Sequence, residues 1–290
     1  MIDLWSPPSG LAPAAILLTA VLLGIVHGIT PDEHTWPITF SYSIGSYSAE
    51  GGLKAGLNFS LAFTLQRALA SQLAALSLIG FLRDPSFNAY VYLIVGSVMA
   101  LSGFWMWRGR AVLHLFHQHP LSGEQPRAPS ATMPWLHGFV AGWGVGAFAL
   151  ITYSVLAPAM PSVWLGWAPG ACFGLGTTLV QAIFGGLFGR WMSKRRLSER
   201  ARSYVARAVA SRVLRWGGSA FVAAGLVGVA DPAAMRWGLP TGIRVHNLHS
   251  LGIGFLLAVI VLFTSAAYAF TLSLREARAR FVLEGPVGEG

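Results

Sequence analysis

The sequence predicts an all-α polytopic membrane protein of about seven transmembrane helices, with an interrupted or re-entrant helix after the first span. Three observations predict it. Hydrophobic residues make up 54% of the 290 and charged residues only 11%, less than half the roughly 25% usual in soluble proteins. Mean hydropathy is +0.58. Several apolar runs approach or exceed the roughly 18 residues that read as membrane spans. This composition excludes a soluble enzyme, a disordered chain and a disulfide scaffold. The single cysteine, Cys172, lies inside an apolar run and reads as a buried structural thiol.

The spans fall at about 11–27, 57–82, 89–107, 135–156, 164–188, 216–230 and 251–272. The whole chain, 1–290, reads as one integral membrane domain. Its net charge of +9 and pI near 10.4 do not point to nucleic acid, because nine of the 20 Lys and Arg lie between Arg190 and Arg215, hard against two apolar runs. Basic residues so placed mark the cytoplasmic side and attract anionic inner-leaflet lipid. The Arg-rich segments 108–133, 190–215 and 274–281 are therefore cytoplasmic, the N-terminus outside and the C-terminus inside a cell (inner) membrane. Nothing basic precedes the first apolar run, which argues against a secretory signal.

Two segments have their own patterns. Ala201, Val205, Val209 and Val213 recur at four-residue spacing among arginines, which predicts an amphipathic helix lying on the inner leaflet. Gly138, Gly142 and Gly146 share one face of the fourth span and let a neighbouring helix approach closely.

The segment Thr30–Tyr47 is apolar enough to enter the membrane but carries Asp32, Glu33, His34 and Pro37. A half-helix or re-entrant piece shielded by other helices accommodates that content; an eighth full span is the alternative. The polar residues concentrate in His27-Gly28-Ile29-Thr30-Pro31-Asp32-Glu33-His34. Thr30, Pro31 and Glu33 have the pattern of a helical capping box, with Gly28 as a left-handed cap on the preceding helix. In one straight helix His27 and His34 would stand about 10 Å apart, too far for one ion. A break at Gly28–Pro31 folds them toward each other, so that His27, Asp32 and His34 can converge on a transition metal.

His27-x4-Asp32, with His34 close behind, resembles the His-x4-Asp-His signature of the nickel/cobalt transporter family, and His-Gly-x-x-Pro-Asp resembles the related transporters associated with nickel and cobalt efflux or urease maturation. Glu33 is inserted relative to the signature. Asn58-Phe59-Ser60-Leu61-Ala62-Phe63 is similar to a second family motif, with Phe63 where a His belongs. Phe173-Gly174-Leu175-Gly176-Thr177-Thr178 is similar to the start of a third, with Thr178 where an Asp belongs. The likeness extends over roughly residues 11–190. It implies a transporter that is not an enzyme, has no permanently bound cofactor and carries Ni2+ or Co2+.

Other polar residues are candidate accessories. Arg67, beside Gln66 and near Asn58, Ser60 and Gln72, lies within the second span and needs a partner there; Asp32 or Glu33 is expected. His137-Gly138 echoes His27-Gly28, and His137 is either a second ligand or an interfacial histidine. His246 and His249 stand three apart before the last span. His114, His117 and His119 form a small loop cluster. Two alternatives to metal transport remain: the same fold moving an anion or small organic solute through Arg67, and an intramembrane metal-dependent hydrolase. Imidazole ligation should weaken as the histidines protonate near pH 6.5. The pattern does not set oligomeric state.

Overall fold

The computed structural model describes residues 4, 7, 10–30, 35–45, 48–78, 85–108, 132–144, 146–194, 197–243 and 250–281. Helix α1 runs Pro13–Ile29, with proline in its first turn, and α2 runs Trp36–Gly45. Helix α3, Ala49–Ala75, starts where the Ser48 side chain accepts the Gly51 amide at 3.0 Å. It ends seven residues before the predicted 82, and Ser77 beyond it holds a left-handed φ of 60°. Helix α4 is Pro85–Trp107.

The predicted fourth span is not one straight helix. Helix α5, Thr132–Ala141, gives way to non-helical chain at 142–144, and α6, Ala147–Ile151, begins after Gly146 and runs into a π-helical turn at Thr152–Leu156. Gly146 is the N-cap of α6 and so leaves the face shared by Gly138 and Gly142. Helix α7 is Trp167–Ser193 and α8 is Glu199–Ala230. A short hairpin, β1 Gly238–Pro240 with β2 Ser250–Gly252, precedes a continuous helical run of α9 Ile253–Val259, a π segment Ile260–Ser265 and α10 Ala266–Phe281.

Of the basic segment 190–215, expected as a surface piece, 190–193 ends α7 and 199–215 belongs to one unbroken 32-residue helix, α8. Ala201, Val205, Val209 and Val213 are buried in the protein core, not laid on a leaflet. At about 1.5 Å per residue, 32 residues reach roughly 48 Å, well beyond the roughly 30 Å of hydrocarbon. A single helix can therefore hold both the basic stretch and the short sixth span.

Contacts fix the sense of each helix. Gly170 lies on the Arg67 carbonyl and Gly185 on that of Gly52, so α3 and α7 are antiparallel. Gly24 lies on Phe173 and Gly28 on Val180, so α1 runs with α7. Helix α2 continues in that sense, since the Trp36 ring lies tilted against Phe184 at 4.7 Å between centroids and Phe40 meets Phe188 edge-on at 5.1 Å. Thus α1 and α2 form one interrupted helix along α7; α2 does not turn back, and at ten residues it is no eighth full span.

These contacts repeat. Gly24 meets Phe173 as Gly138 meets Phe59, and Gly28 meets Val180 as Gly142 meets Gln66. Each member of these pairs lies 114 positions from its counterpart. At the centre the Thr64 and Thr178 hydroxyls, also 114 apart, bond to each other at 3.0 Å. The α4–α8 pair repeats at a spacing of 122. A methyl on Gly96 would stand 2.7 Å from the Gly218 carbonyl oxygen, and one on Gly218 2.6 Å from that of Gly96. Because the paired helices are antiparallel, α1–α4 and α5–α8 are inverted copies about a pseudo-two-fold axis through the Thr64–Thr178 contact.

Among the described residues, three helices are long and apolar enough to cross a membrane, within 87–107, 163–193 and 200–230. Two shorter apolar helices join them, Pro13–Ile29 and Ala147–Leu156. Rows of large apolar residues also face outward: Leu61, Leu65 and Leu69 on α3, and Leu175, Leu179, Ile183 and Leu187 on α7, at 44–56% exposure. Water penalises such rows and lipid accepts them.

In the first half of α8, one guanidinium nitrogen of Arg212 donates to both carboxylate oxygens of Glu276 on α10, at 2.6 and 2.7 Å, and Tyr204 donates to the same carboxylate at 2.7 Å. Burial pushes the Glu276 carboxyl up, but the hydrogen bonds from Arg212 and Tyr204 and the Arg212 and Arg280 charges outweigh it and hold its pKa below the usual carboxylate value. This stabilisation is full above the ordinary pKa of 4.5 and is lost as pH falls below it toward the depressed folded value. Glu276→Gln is expected to cost about 1–3 kcal/mol at neutral pH. Thermal melts in detergent should show the gap from wild type closing below about pH 4.5.

Candidate functional site at two interrupted helices

The first break follows Ile29. Thr30 caps the end of α1: its hydroxyl donates to the Val26 carbonyl at 3.0 Å and to that of His27 at 3.1 Å. It was expected to open the next helix, but α2 begins at Trp36. Gly28 is not a left-handed cap either, because among the described glycines only Gly10 and Gly242 have positive φ. It sits inside α1 where a side chain would strike Val180 at 2.8 Å. The Gly28 carbonyl accepts from the Trp36 indole at 3.1 Å and, more loosely, from the Gln181 amide at 3.4 Å; the same amide lies 3.4 Å from Thr35 Oγ1.

His27 is buried at 3% exposure one turn before this break. Its ring stacks on Phe63 at 6.0 Å between centroids and leans on Phe173 at 5.2 Å. Phe63 is therefore packed against His27. Asp32, Glu33 and His34 lie outside the described residues, as do His114, His117, His119, His246 and His249. Among the described residues, no three His, Cys, Asp or Glu side chains group around a point.

The second break holds Arg67. The residue is 2% exposed, so its side chain does not snorkel to water. One guanidinium nitrogen donates to the Tyr153 hydroxyl at 2.8 Å and the other to the Gly144 carbonyl at 3.0 Å, inside the unwound stretch of the fourth span. Aromatic faces surround it: Phe63 at 4.5 Å, Phe173 at 5.4 Å and Tyr153 at 5.9 Å from ring centre to guanidinium carbon. The partners are thus a carbonyl, a phenol and π faces; the expected carboxylates, Asp32 and Glu33, fall outside the described residues. Gln66, next to Arg67 in sequence, lies against Gly142 at the same break, with neither end of its buried amide hydrogen-bonded among the described residues.

Of the remaining candidates, Thr178 is 8% exposed and donates toward the Gly174 carbonyl at 2.8 Å, with the Ser60 carbonyl at 3.3 Å. Ser60 is buried and Asn58 half-buried on α3. The Thr178 hydroxyl and the Ser60 carbonyl thus link α7 to α3 near the pseudo-axis. His137 is fully buried and shares a 2.8 Å hydrogen bond with the Tyr42 hydroxyl of α2. Cys172 is half-buried, less enclosed than its apolar neighbours suggest.

Sequence reasoning missed Gln181, Gly144, Tyr153 and Thr64. The signal was present at a register four residues from the His-Gly echo. Leu22, Gly24, Val26 and Gly28 match Leu136, Gly138, Val140 and Gly142, while Phe59, Leu61, Thr64, Leu65 and Ala68 match Phe173, Leu175, Thr178, Leu179 and Ala182. In this register Arg67 is the counterpart of Gln181.

No protein-family model, no curated protein and no solved structure matches this chain. Helix content, span lengths and outward leucine rows define a helical membrane protein.

Proposed function

We propose that this protein is a cell-membrane transporter that moves a divalent transition-metal ion, nickel or cobalt first, between its two interrupted helices. One observation carries the reading: helices broken at equivalent points of an inverted repeat, each receiving a polar side chain from the central helix of the other half. Transporters recurrently place ions at such breaks, where unwound backbone and half-helix ends face a buried site. His27, buried one turn before the first break, supplies an imidazole suited to nickel or cobalt. His27, Asp32 and His34 are the proposed ligands, consistent with the family resemblance. Counting α1–α2 and α5–α6 as one span each gives the seven spans proposed, and the loop charges place the N-terminus outside and the C-terminus inside.

The buried Arg67 favours a second reading, in which the cargo is an anion or small organic solute. Purified protein in liposomes separates the two. Uptake of labelled nickel or cobalt well above empty vesicles supports the metal reading. Its absence, with uptake of a small anion that depends on Arg67, replaces it.

A further inference from the structure

The repeat brings the two interrupted helices together twice, and the two contacts differ in chemistry. On one side of the breaks α1 meets the π-helical turn Thr152–Leu156, and Leu23 and Leu156 are buried in one apolar cluster with Ile16, Phe148 and Phe173. On the other side α2 meets α5, where the buried Tyr42 hydroxyl and His137 ring share their 2.8 Å hydrogen bond. Leu23 is the counterpart of His137 and Leu156 that of Tyr42, each 114 positions away. The polar contact lies toward the end of the bundle that carries Arg190 and Lys194, since α2 packs along Phe184 and Phe188 just before them. Leu23 precedes His27 by one turn on the same face of α1, and His137 precedes Ala141 in the same way on α5. Both His27 and Ala141 are buried. A solute at the breaks is thus shut in by Leu23 and Leu156 toward one face of the membrane, and by Tyr42 and His137 toward the other.

From this arrangement we infer that the two contacts are the gates of the transport path: Leu23 with Leu156 an apolar plug, and Tyr42 with His137 a hydrogen-bonded latch on the side of the basic residues. The assignment rests on the proposed transport function and deepens it. Inverted-repeat carriers expose their site to one face at a time by rocking one half against the other. Each contact here joins the first half to the second, so either can part without unwinding a helix. Their chemistry sets what parting costs. Opening the plug wets apolar side chains, whereas opening the latch exchanges one protein hydrogen bond for bonds to water.

Thiol labelling of the full-length protein in liposomes tests this without any cargo. In a Cys172→Ala background, Ala141→Cys reports behind the latch and His27→Cys behind the plug, and a membrane-impermeant maleimide is added to one face at a time. Tyr42→Phe keeps the ring but leaves His137 without its hydroxyl partner, which penalises the closed latch. It should speed labelling of Ala141→Cys at least about fivefold from the face bearing Arg190, and not from the other face. His137→Leu should do the same, whereas His137→Gln, whose amide can still meet the Tyr42 hydroxyl, should label as slowly as the parent. Leu156→Ala, or Leu156→Val should alanine prevent folding, should speed labelling of His27→Cys from the opposite face alone. Unchanged labelling in Tyr42→Phe and His137→Leu overturns the latch, and unchanged labelling in the Leu156 variant overturns the plug. Faster labelling from both faces shows general loosening and overturns both. If wild-type liposomes take up neither metal nor anion, the transport reading fails, and the labelling still decides whether these contacts close a path.

Discussion

Replacing His27 by alanine is expected to lower nickel and cobalt uptake by at least about tenfold, the smaller end of what disturbing a metal's ligand environment costs. Loss of a ligand is one cause. A second is that the ring fills the space between Phe63 and Phe173, and its removal leaves a cavity at the centre of the bundle. A buried side chain of this size costs about 2–4 kcal/mol when truncated to Ala. The two effects separate with His27→Phe, which restores the ring without the nitrogens: the melting temperature should return toward wild type and uptake should not. Calorimetric titration with nickel gives the same contrast without transport. Wild-type uptake by His27→Phe would remove His27 from the ligand set.

Gly138→Val is the second large effect, and it acts on assembly. A side chain there would run into the Phe59 carbonyl oxygen, and the same is true of Gly24 against Phe173. These obstacles are backbone in mid-helix and cannot swing aside as a rotamer would. Overpacking typically costs about 1–3 kcal/mol, and the rigid carbonyl places these positions at the upper end. Gly24→Val and Gly138→Val should therefore lower the melting temperature by similar amounts, because the contacts are counterparts. Gly186 is the control: the nearest atom to an added methyl is 4.0 Å away, so Gly186→Ala should melt as wild type. A large loss from Gly24→Val beside none from Gly138→Val would contradict the pseudo-symmetry.

The membrane class was legible because composition and run length report burial in lipid directly. The break after the first span was legible too, since Pro31 and the acidic residues beside it do not suit a lipid-facing helix. Its boundary was misjudged for a physical reason. Gly28 and Thr30 have the residue types of caps, yet Gly28 is required by the approach of Val180, and Thr30 turns back on α1. The break in the fourth span carried no local sign beyond glycines, which serve close packing and unwinding equally well. Arg67 was recognisable as a buried charge, but its partners, a backbone carbonyl and a tyrosine 86 positions away, depend on the tertiary fold.

The inverted repeat has a consequence for how the chain enters its membrane. Its halves insert with opposite polarity, so each faces a different demand from the charge rule that orients spans. Residues 1–107 contain only Lys54, Arg67 and Arg83 as basic side chains, and Arg67 is spent inside the fold. The nine basic residues between Arg190 and Arg215 emerge from the ribosome after the first six helices. By the charge rule the orienting signal of this chain lies mostly outside residues 1–107, in the segment after α4 and in the second half. Expressed alone, residues 1–107 should therefore insert in both orientations.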